Sequence, residues 1–377
     1  MQKRIIFLLS LCVITACNPY GGLTEDLNRV MKDSDVVGLS VALVENNQIV
    51  YTHSFGVKDI DTQEPVSDGD LFRIASISKS FSATSIMQLI EQGFVTLDMD
   101  VTLLAGFPIR NPKYPDVKIT LGMLLSHRSS LNDSEGYFTF TVINPDVNTP
   151  YANCYNDYEP GTQYEYCNLN FNLVGSFIEK LSGERFDQYV VGHILRPLGL
   201  YGGYCVDSLD ASKFVKLYTY DEQAGKFVYD PECYEPRSER IANYKFGYDT
   251  PVFSPTGGMK ISAIDLAKYM LMHMNYGTSP SGVKIINEKH SRMMQTPVHS
   301  TDTTDPDAYY GYALWNEDSY IEGETLVGHT GGAYGLRSEM FFNPEKKYGF
   351  VAICSGSRDE EILKTVIRAM RPYVKTK

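Results

Sequence analysis

What this sequence lacks closes several classes of function. No stretch is rich in Lys or Arg: 34 basic residues are scattered among 46 acidic ones, for a formal charge of −12. A nucleic-acid binder needs a basic footprint that displaces counterions from phosphates, so that class is excluded. The seven histidines form no His-x-His or His-x-x-x-His cluster, and no cysteine pair has metal-ligand spacing. No metal and no other cofactor is therefore expected. Repeats and low-complexity tracts are missing too, so the chain reads as one folded unit after residue 20. There is no Gly-x-Ser-x-Gly elbow either, which argues against a Ser-His-Asp hydrolase built around His127. His127 is expected to be structural.

What is present suits a globular enzyme. Over 377 residues, 43% hydrophobic content can bury one large core or two subdomains. The 27 Tyr and 18 Phe argue against disorder. At the N-terminus Lys3 and Arg4 precede an apolar run, Ile5 to Val13, that is too short to span a bilayer. Ile14-Thr15-Ala16-Cys17 then resembles the lipobox of bacterial lipoproteins. The expectation is a signal peptide over 1–16, a lipid on the Cys17 thiol and a tether over 17–24. The alternative is an ordinary signal peptide cut after Ala16. A lipid-anchored protein of the bacterial cell envelope follows from the first reading, with the membrane as a partner and a monomeric catalytic part. Of the remaining cysteines, Cys354 lies in an apolar strand. Cys154, Cys167, Cys205 and Cys233 leave three possible pairings, open to oxidation in an exported protein.

Periodicity divides residues 25–377 into two parts. Val37 to Glu45 and Gln48 to Ser54 read as a hairpin about Asn46-Asn47, and a helix is expected from Ser76 to Glu91 with Gly93 as its stop. Helices are also expected at Leu121–Ser126, Asn170–Leu181, Phe186–Ile194 and Ala263–Asn275. Strands return at Tyr310–Asn316, Leu326–Thr330, Leu336–Asn343 and Tyr348–Cys354, before a last helix from Asp359 to Tyr373. The fold class is α/β of the α+β type: an antiparallel sheet from both termini (about 25–75 and 300–377) flanked by helices, with a mostly helical insertion (about 76–299). The Tyr-rich stretch 201–253 is read as a lid over the cleft or, preferably, a solvated crust on the helical part.

Three short motifs carry chemistry: Ser76-Ile77-Ser78-Lys79, Tyr166-Cys167-Asn168 and His329-Thr330-Gly331. A second Ser-x-x-Lys, Ser281 to Lys284, lies in a Pro/Gly loop and is discarded; Tyr151-Ala152-Asn153 imitates the second motif. Ser76 opens a helix, whose free N–H groups and partial positive charge favour a developing oxyanion. Lys79, three residues on, shares its face and can reach the hydroxyl. A serine needs a base, and a lysine becomes one only when desolvation or a positive neighbour lowers its pKa.

Phe72-Arg73-Ile74-Ala75-Ser76-Ile77-Ser78-Lys79 resembles the nucleophile segment of the serine β-lactamase and penicillin-binding-protein superfamily, in its class C-related branch. Leu124-Leu125-Ser126-His127-Arg128-Ser129-Ser130-Leu131, Pro160 to Asn168, Pro255-Thr256-Gly257-Gly258-Met259 and Val327 to Gly332 resemble four further landmarks, in order. The resemblance implies that Ser76 is acylated, that Lys79 and Tyr166 share acid/base work, and that the nearby ammonium tunes the phenol. It implies that Asn168 binds the substrate amide and the Lys79 head, and that Ser76 and Gly332 N–H groups hold the oxyanion. The strand His329-Thr330-Gly331 would pair with an extended small-molecule or peptide substrate. Two departures stand out. His329 replaces the Lys of the β-lactamases, which weakens recognition of a carboxylate, and Cys167 stands where Ser is common. The resemblance favours a D-amino-acid peptidase, DD-carboxypeptidase or esterase; the alternatives are a class C-like β-lactamase and a slowly deacylating penicillin-binding or sensor protein.

Overall fold

The structure is a computed structural model that describes residues 19–298 and 309–375. Residues 1–16 and Cys17 lie outside them. The strands, in chain order, are β1 (Gly38–Glu45), β2 (Gln48–Asp59), β3 (Glu64–Pro65), β4 (Phe72–Arg73), β5 (Gly202–Gly203), β6 (Tyr218–Asp221), β7 (Lys226–Tyr229), β8 (Lys260–Ile261), β9 (Trp315–Ile321), β10 (Glu324–Ala333), β11 (Leu336–Asn343) and β12 (Tyr348–Ser355). The helices are α1 (Gly21–Asp33), α2 (Ser78–Glu91), α3 (Thr102–Ala105), α4 (Leu121–Leu125), α5 (Asn168–Ser182), α6 (Phe186–Val190), α7 (Ser238–Ala242), α8 (Ala263–Met274), α9 (Glu288–Gln295) and α10 (Ile362–Met370).

A seven-stranded antiparallel sheet runs β3-β2-β1-β12-β11-β10-β9 and joins the two ends of the chain, as the strand pattern requires. Its central strands are buried on both faces, so they read as continuous apolar runs. Leu39, Val41 and Leu43 of β1 meet α1 and α10, whereas Ala42 and Val44 face the larger core under α8. Helix α10 supplies Ile362, Leu363, Val366, Ile367 and Met370, one apolar stripe at helical spacing. Asn46 and Asn47 turn β1 into β2 with both φ positive (50° and 64°), a conformation asparagine tolerates.

Four expectations change. Residues 21–24, assigned to a tether, begin α1, because Leu23 and Leu27 dock on the sheet. The strand expected from Tyr310 starts at Trp315, since Ala313 has φ +63 and breaks the extended chain. The helix expected from Ser76 begins at Ser78, after a 3₁₀ turn, and is buried nearly all round. Its hydroxyls bond inward: Ser80 to Ile77 O (2.8 Å), Ser82 to Pro255 O (3.0 Å) and Ser85 to Phe81 O (2.9 Å). The stretch 201–253 lines no part of the Ser76 cleft and divides in two: residues 238–253 lie on the helical part, with Tyr244 Oη donating to Glu179 of α5 (2.6 Å). Its β6–β7 hairpin clamps the end of the large sheet, with Lys216 ion-paired to Asp59 (2.7 Å) and Tyr218 Oη accepting from Ile60 N (2.9 Å).

Candidate active site

A small sheet, β4-β8-β5, holds the entry to the nucleophile segment. Ile74 N donates to Met259 O (3.0 Å), and Ala75 then takes φ +44, a left-handed turn that costs an alanine about 1 kcal/mol. Ser76 sits in a single 3₁₀ turn, Ala75–Ile77, that runs straight into α2. Strand β10 closes the other side. A Cβ on Gly331 would collide with Ile74 O and Ser338 Oγ and reach 3.0 Å from Ser76 N, so only glycine lets the strand approach the nucleophile. Beyond Gly328, which pairs with Trp315, β10 has no strand partner on the β9 side among the described residues, and these leave its edge open at Thr330–Gly332.

Lys79 is completely buried. Its Nζ donates to Ser76 Oγ (3.1 Å), Asn168 Oδ1 (2.8 Å) and Thr256 O (2.9 Å), and lies 4.7 Å from the Tyr166 ring centre. Burial lowers its pKa to about 7, against the opposing pull of Asp133 and Cys167. A substantial share of neutral amine is therefore present near pH 7. The Tyr166 hydroxyl hydrogen-bonds Ser76, yet burial drives the phenol pKa up. The expected easing by the ammonium does not win. Tyr166 stays protonated.

Asp133 organises this wall from a loop between α4 and α5. Its Oδ2 accepts from the backbone N (2.8 Å) and the Nδ2 (2.9 Å) of Asn168, and its Oδ1 from Leu169 N (2.9 Å) and Cys167 Sγ (3.3 Å). Helix α5 lacks a side-chain cap from Cys167, and Asp133 satisfies its first N–H groups instead. Nothing in the sequence ties Asn132-Asp133 to Asn168, beyond its place two residues after a matched landmark. Thr256, also unassigned beforehand, donates Oγ1 to Asn168 Oδ1 (2.8 Å).

Ser76, Tyr166, Asn168 and Gly332 line one cleft of about 450 Å³. Thr330, Gly331 and Gly332 line an adjoining one of about 410 Å³. Tyr137 and Phe138 shape the first cleft, which takes no lining residue from 201–253. His329 is placed differently from expectation. Its ring turns away from both clefts, with Nε2 3.1 Å from Tyr310 Oη and Nδ1 2.5 Å from Thr330 O. Burial and the Lys79 charge lower its pKa to about 3, so it is neutral. His127 is buried under the Tyr166 ring (4.3 Å between centres), and its Nδ1 accepts from Cys167 N (3.1 Å).

Cys154, Cys167, Cys205, Cys233 and Cys354 are all free and buried, so among the described residues none of the considered disulfides forms. The Cys167 thiol instead faces Asp133. The discarded Ser281 lies on an exposed turn. No cluster of metal-ligating side chains occurs among the described residues.

Residues 23–374 match the beta-lactamase family model. Protein flp of Staphylococcus aureus (strain MW2) is 24% identical over 335 residues, covering 86% of this chain and 61% of that protein. The chain thus spans about six-tenths of that relative's length. Penicillin-binding protein 4 of Amycolatopsis lactamdurans is 25% identical over 331 residues, covering 84% of this chain and 80% of that one. Among solved structures, the octameric penicillin-binding protein homologue from Pyrococcus abyssi superposes with TM-score 0.74 at 25% identity, covering 94% of this chain and 78% of that one. The D-amino acid amidase from Ochrobactrum anthropi SV3 superposes with TM-score 0.70 at 22% identity, covering 93% and 99%. At that identity the likeness is one of fold, and it matches the expected sheet with inserted helices. The chain belongs to the beta-lactamase family.

Proposed function

We propose that the chain cleaves amide or ester bonds of acylated D-amino acids or small esters through a Ser76 acyl-enzyme, as a D-amino-acid peptidase, DD-carboxypeptidase or esterase. One observation carries this reading: the fully buried Lys79 amine, with a pKa near 7, stands 3.1 Å from Ser76 Oγ. Neutral Lys79 takes the Ser76 proton as Oγ attacks the carbonyl carbon. The oxyanion forms towards the backbone N–H groups of Ser76 and Gly332. Collapse breaks the bond to the leaving group, which takes the proton from Lys79 through the Tyr166 hydroxyl. A water then attacks the ester with Lys79 as base, releasing the acid and restoring Ser76.

Asn168, pinned by Asp133, would receive the substrate amide, and the edge of β10 at Thr330–Gly332 would pair with the substrate backbone. A β-lactamase acting on carboxylate-bearing drugs is the second reading. It is disfavoured because position 329 presents no charge to the cleft. Lipidation at Cys17 and a monomer in the cell envelope complete the proposal.

The test is a substrate screen on the form lacking residues 1–17, with nitrocefin, p-nitrophenyl esters and D-Ala-D-Ala peptides. A fluorophosphonate should label the wild type and not Ser76→Ala. Labelled Ala variant, seen by intact mass, would end the Ser76 assignment.

A further inference from the structure

Three residues before the nucleophile, Arg73 is 7% exposed, yet it lines the cleft that holds Ser76. Its Nε donates to Gly257 O (2.7 Å), and its guanidinium lies over the Tyr334 ring at 4.8 Å. Two contacts therefore fix its orientation. Among the described residues no carboxylate lies within ion-pair distance of it. The one acid on this wall, Asp133, is already spent on four donors around Asn168.

A guanidinium is a permanent charge, and burying one without a counter-ion is costly. Its surroundings do not supply one. Lys260 behind it donates Nζ to Tyr204 O (2.8 Å) and, through burial and the charge of Arg73, has its pKa driven well below the usual lysine value. Burial pushes the Cys233 thiol up to about 12, so it stays neutral. Of the described residues lining the cleft, Arg73 alone carries a formal charge, in a protein of net charge −12.

The cleft itself, about 450 Å³, has room for a partner. A Cβ projecting into it from Gly257 would stand in ordinary contact, 3.7 Å from each of Arg73 Nη2, Ser254 Oγ and the Ala75 carbonyl carbon. A guanidinium nitrogen and a hydroxyl thus face the same opening next to the nucleophile.

We propose that Arg73 is the specificity-determining residue of this cleft and receives a carboxylate of the substrate, so the preferred substrates carry an anionic group close to the scissile carbonyl. This rests on the Ser76 acyl-transfer reading and narrows it to acidic acyl donors or to peptides with a free terminal carboxylate. The carboxylate takes the place that His329, turned away and neutral, cannot fill. A charge-assisted contact of this kind is worth about ten- to a hundredfold in kcat/KM.

Two matched pairs test it. The p-nitrophenyl monoester of glutaric acid against p-nitrophenyl valerate places the charge on the acyl side. Acetyl-D-Ala-D-Ala against its terminal amide places it on the leaving side. In the wild type at least one pair should favour the acid by about tenfold or more, and the pair that does identifies the side. In Arg73→Gln that preference should collapse, and in Arg73→Lys it should be partly kept. Glutarate, and not glutaramide, should raise the melting temperature of the wild type and not of Arg73→Gln. Equal rates within both pairs in the wild type overturn the proposal, whatever the variants do. So does an Arg73→Gln variant that lowers both members of each pair alike. If no substrate reacts and Ser76 resists fluorophosphonate, while glutarate still raises the melting temperature through Arg73, the acyl-transfer reading fails and the anion site stands.

Discussion

Asp133 holds Asn168 twice, by the backbone N–H at 2.8 Å and the side-chain amide at 2.9 Å, from a position 35 residues earlier in the chain. With both donors engaged, the amide oxygen is turned the other way, towards Lys79 Nζ at 2.8 Å. The carboxylate thus orients an amide that in turn holds the base. It is a positioning residue, one shell removed from the reacting atoms.

Asp133→Ala should therefore cost both stability and rate. Charged hydrogen bonds are worth about 1.5–3 kcal/mol, and the start of α5 loses its cap. The expected signs are a lower denaturation midpoint and a fall in kcat larger than the change in KM. Asp133→Asn, which keeps an acceptor oxygen, should recover part of the kcat. Unchanged kcat in the Ala variant, at saturating substrate, would show that Asn168 does not need this support.

The acylation rate should depend on pH through Lys79. The amine must be neutral to accept the Ser76 proton, and its pKa lies at about 7. Below that value the rate should fall about tenfold per pH unit as the ammonium accumulates, and above it the rate should level off. Tyr166, whose pKa burial raises, adds no rising limb between pH 7 and 9. Single-turnover acylation across pH 5–9 checks this. A pH-independent rate would remove Lys79 as the base.

His329→Lys is the substitution that motif comparison alone would choose to improve recognition of carboxylate-bearing penicillins or cephalosporins. The structure reverses that expectation. Position 329 is buried among Tyr310, Tyr166 and the Thr330 carbonyl, beside Lys79. A second lysine there would bury an unpaired charge, at a cost of about 3 kcal/mol or more if it stays charged. Urea denaturation should show the loss, with no gain in acylation by either charged or neutral substrates. Faster acylation by the charged substrates at undiminished stability would return residue 329 to the carboxylate site.

Anchoring is tested by Cys17→Ala. If Cys17 carries the lipid, this variant should leave the membrane fraction or accumulate unprocessed. Membrane association that persists after processing would point to another segment.

Much of this molecule was legible from spacing alone. Ser76 and Lys79 share a helical face because three residues nearly complete a turn, and the short apolar runs of β11 and β12 mark strands buried on both faces. Five landmarks in order identified the superfamily, because each lies in a short contiguous stretch. Tertiary structure decided the rest. Lys79 becomes a base because α5, the Thr256 loop and the Tyr166 ring close over it from positions 87 to 177 residues away. His329 and Thr330 are neighbours on one strand, yet one is buried behind Tyr310 and the other borders a cleft, and alternation cannot say which face is which. Arg73 reads in sequence as an ordinary flank of the nucleophile, and only the packed wall shows it buried and without a counter-ion. The physical reason is range. Backbone periodicity is set by neighbours within about four residues, whereas desolvation and charge sum over every segment that packs against a group.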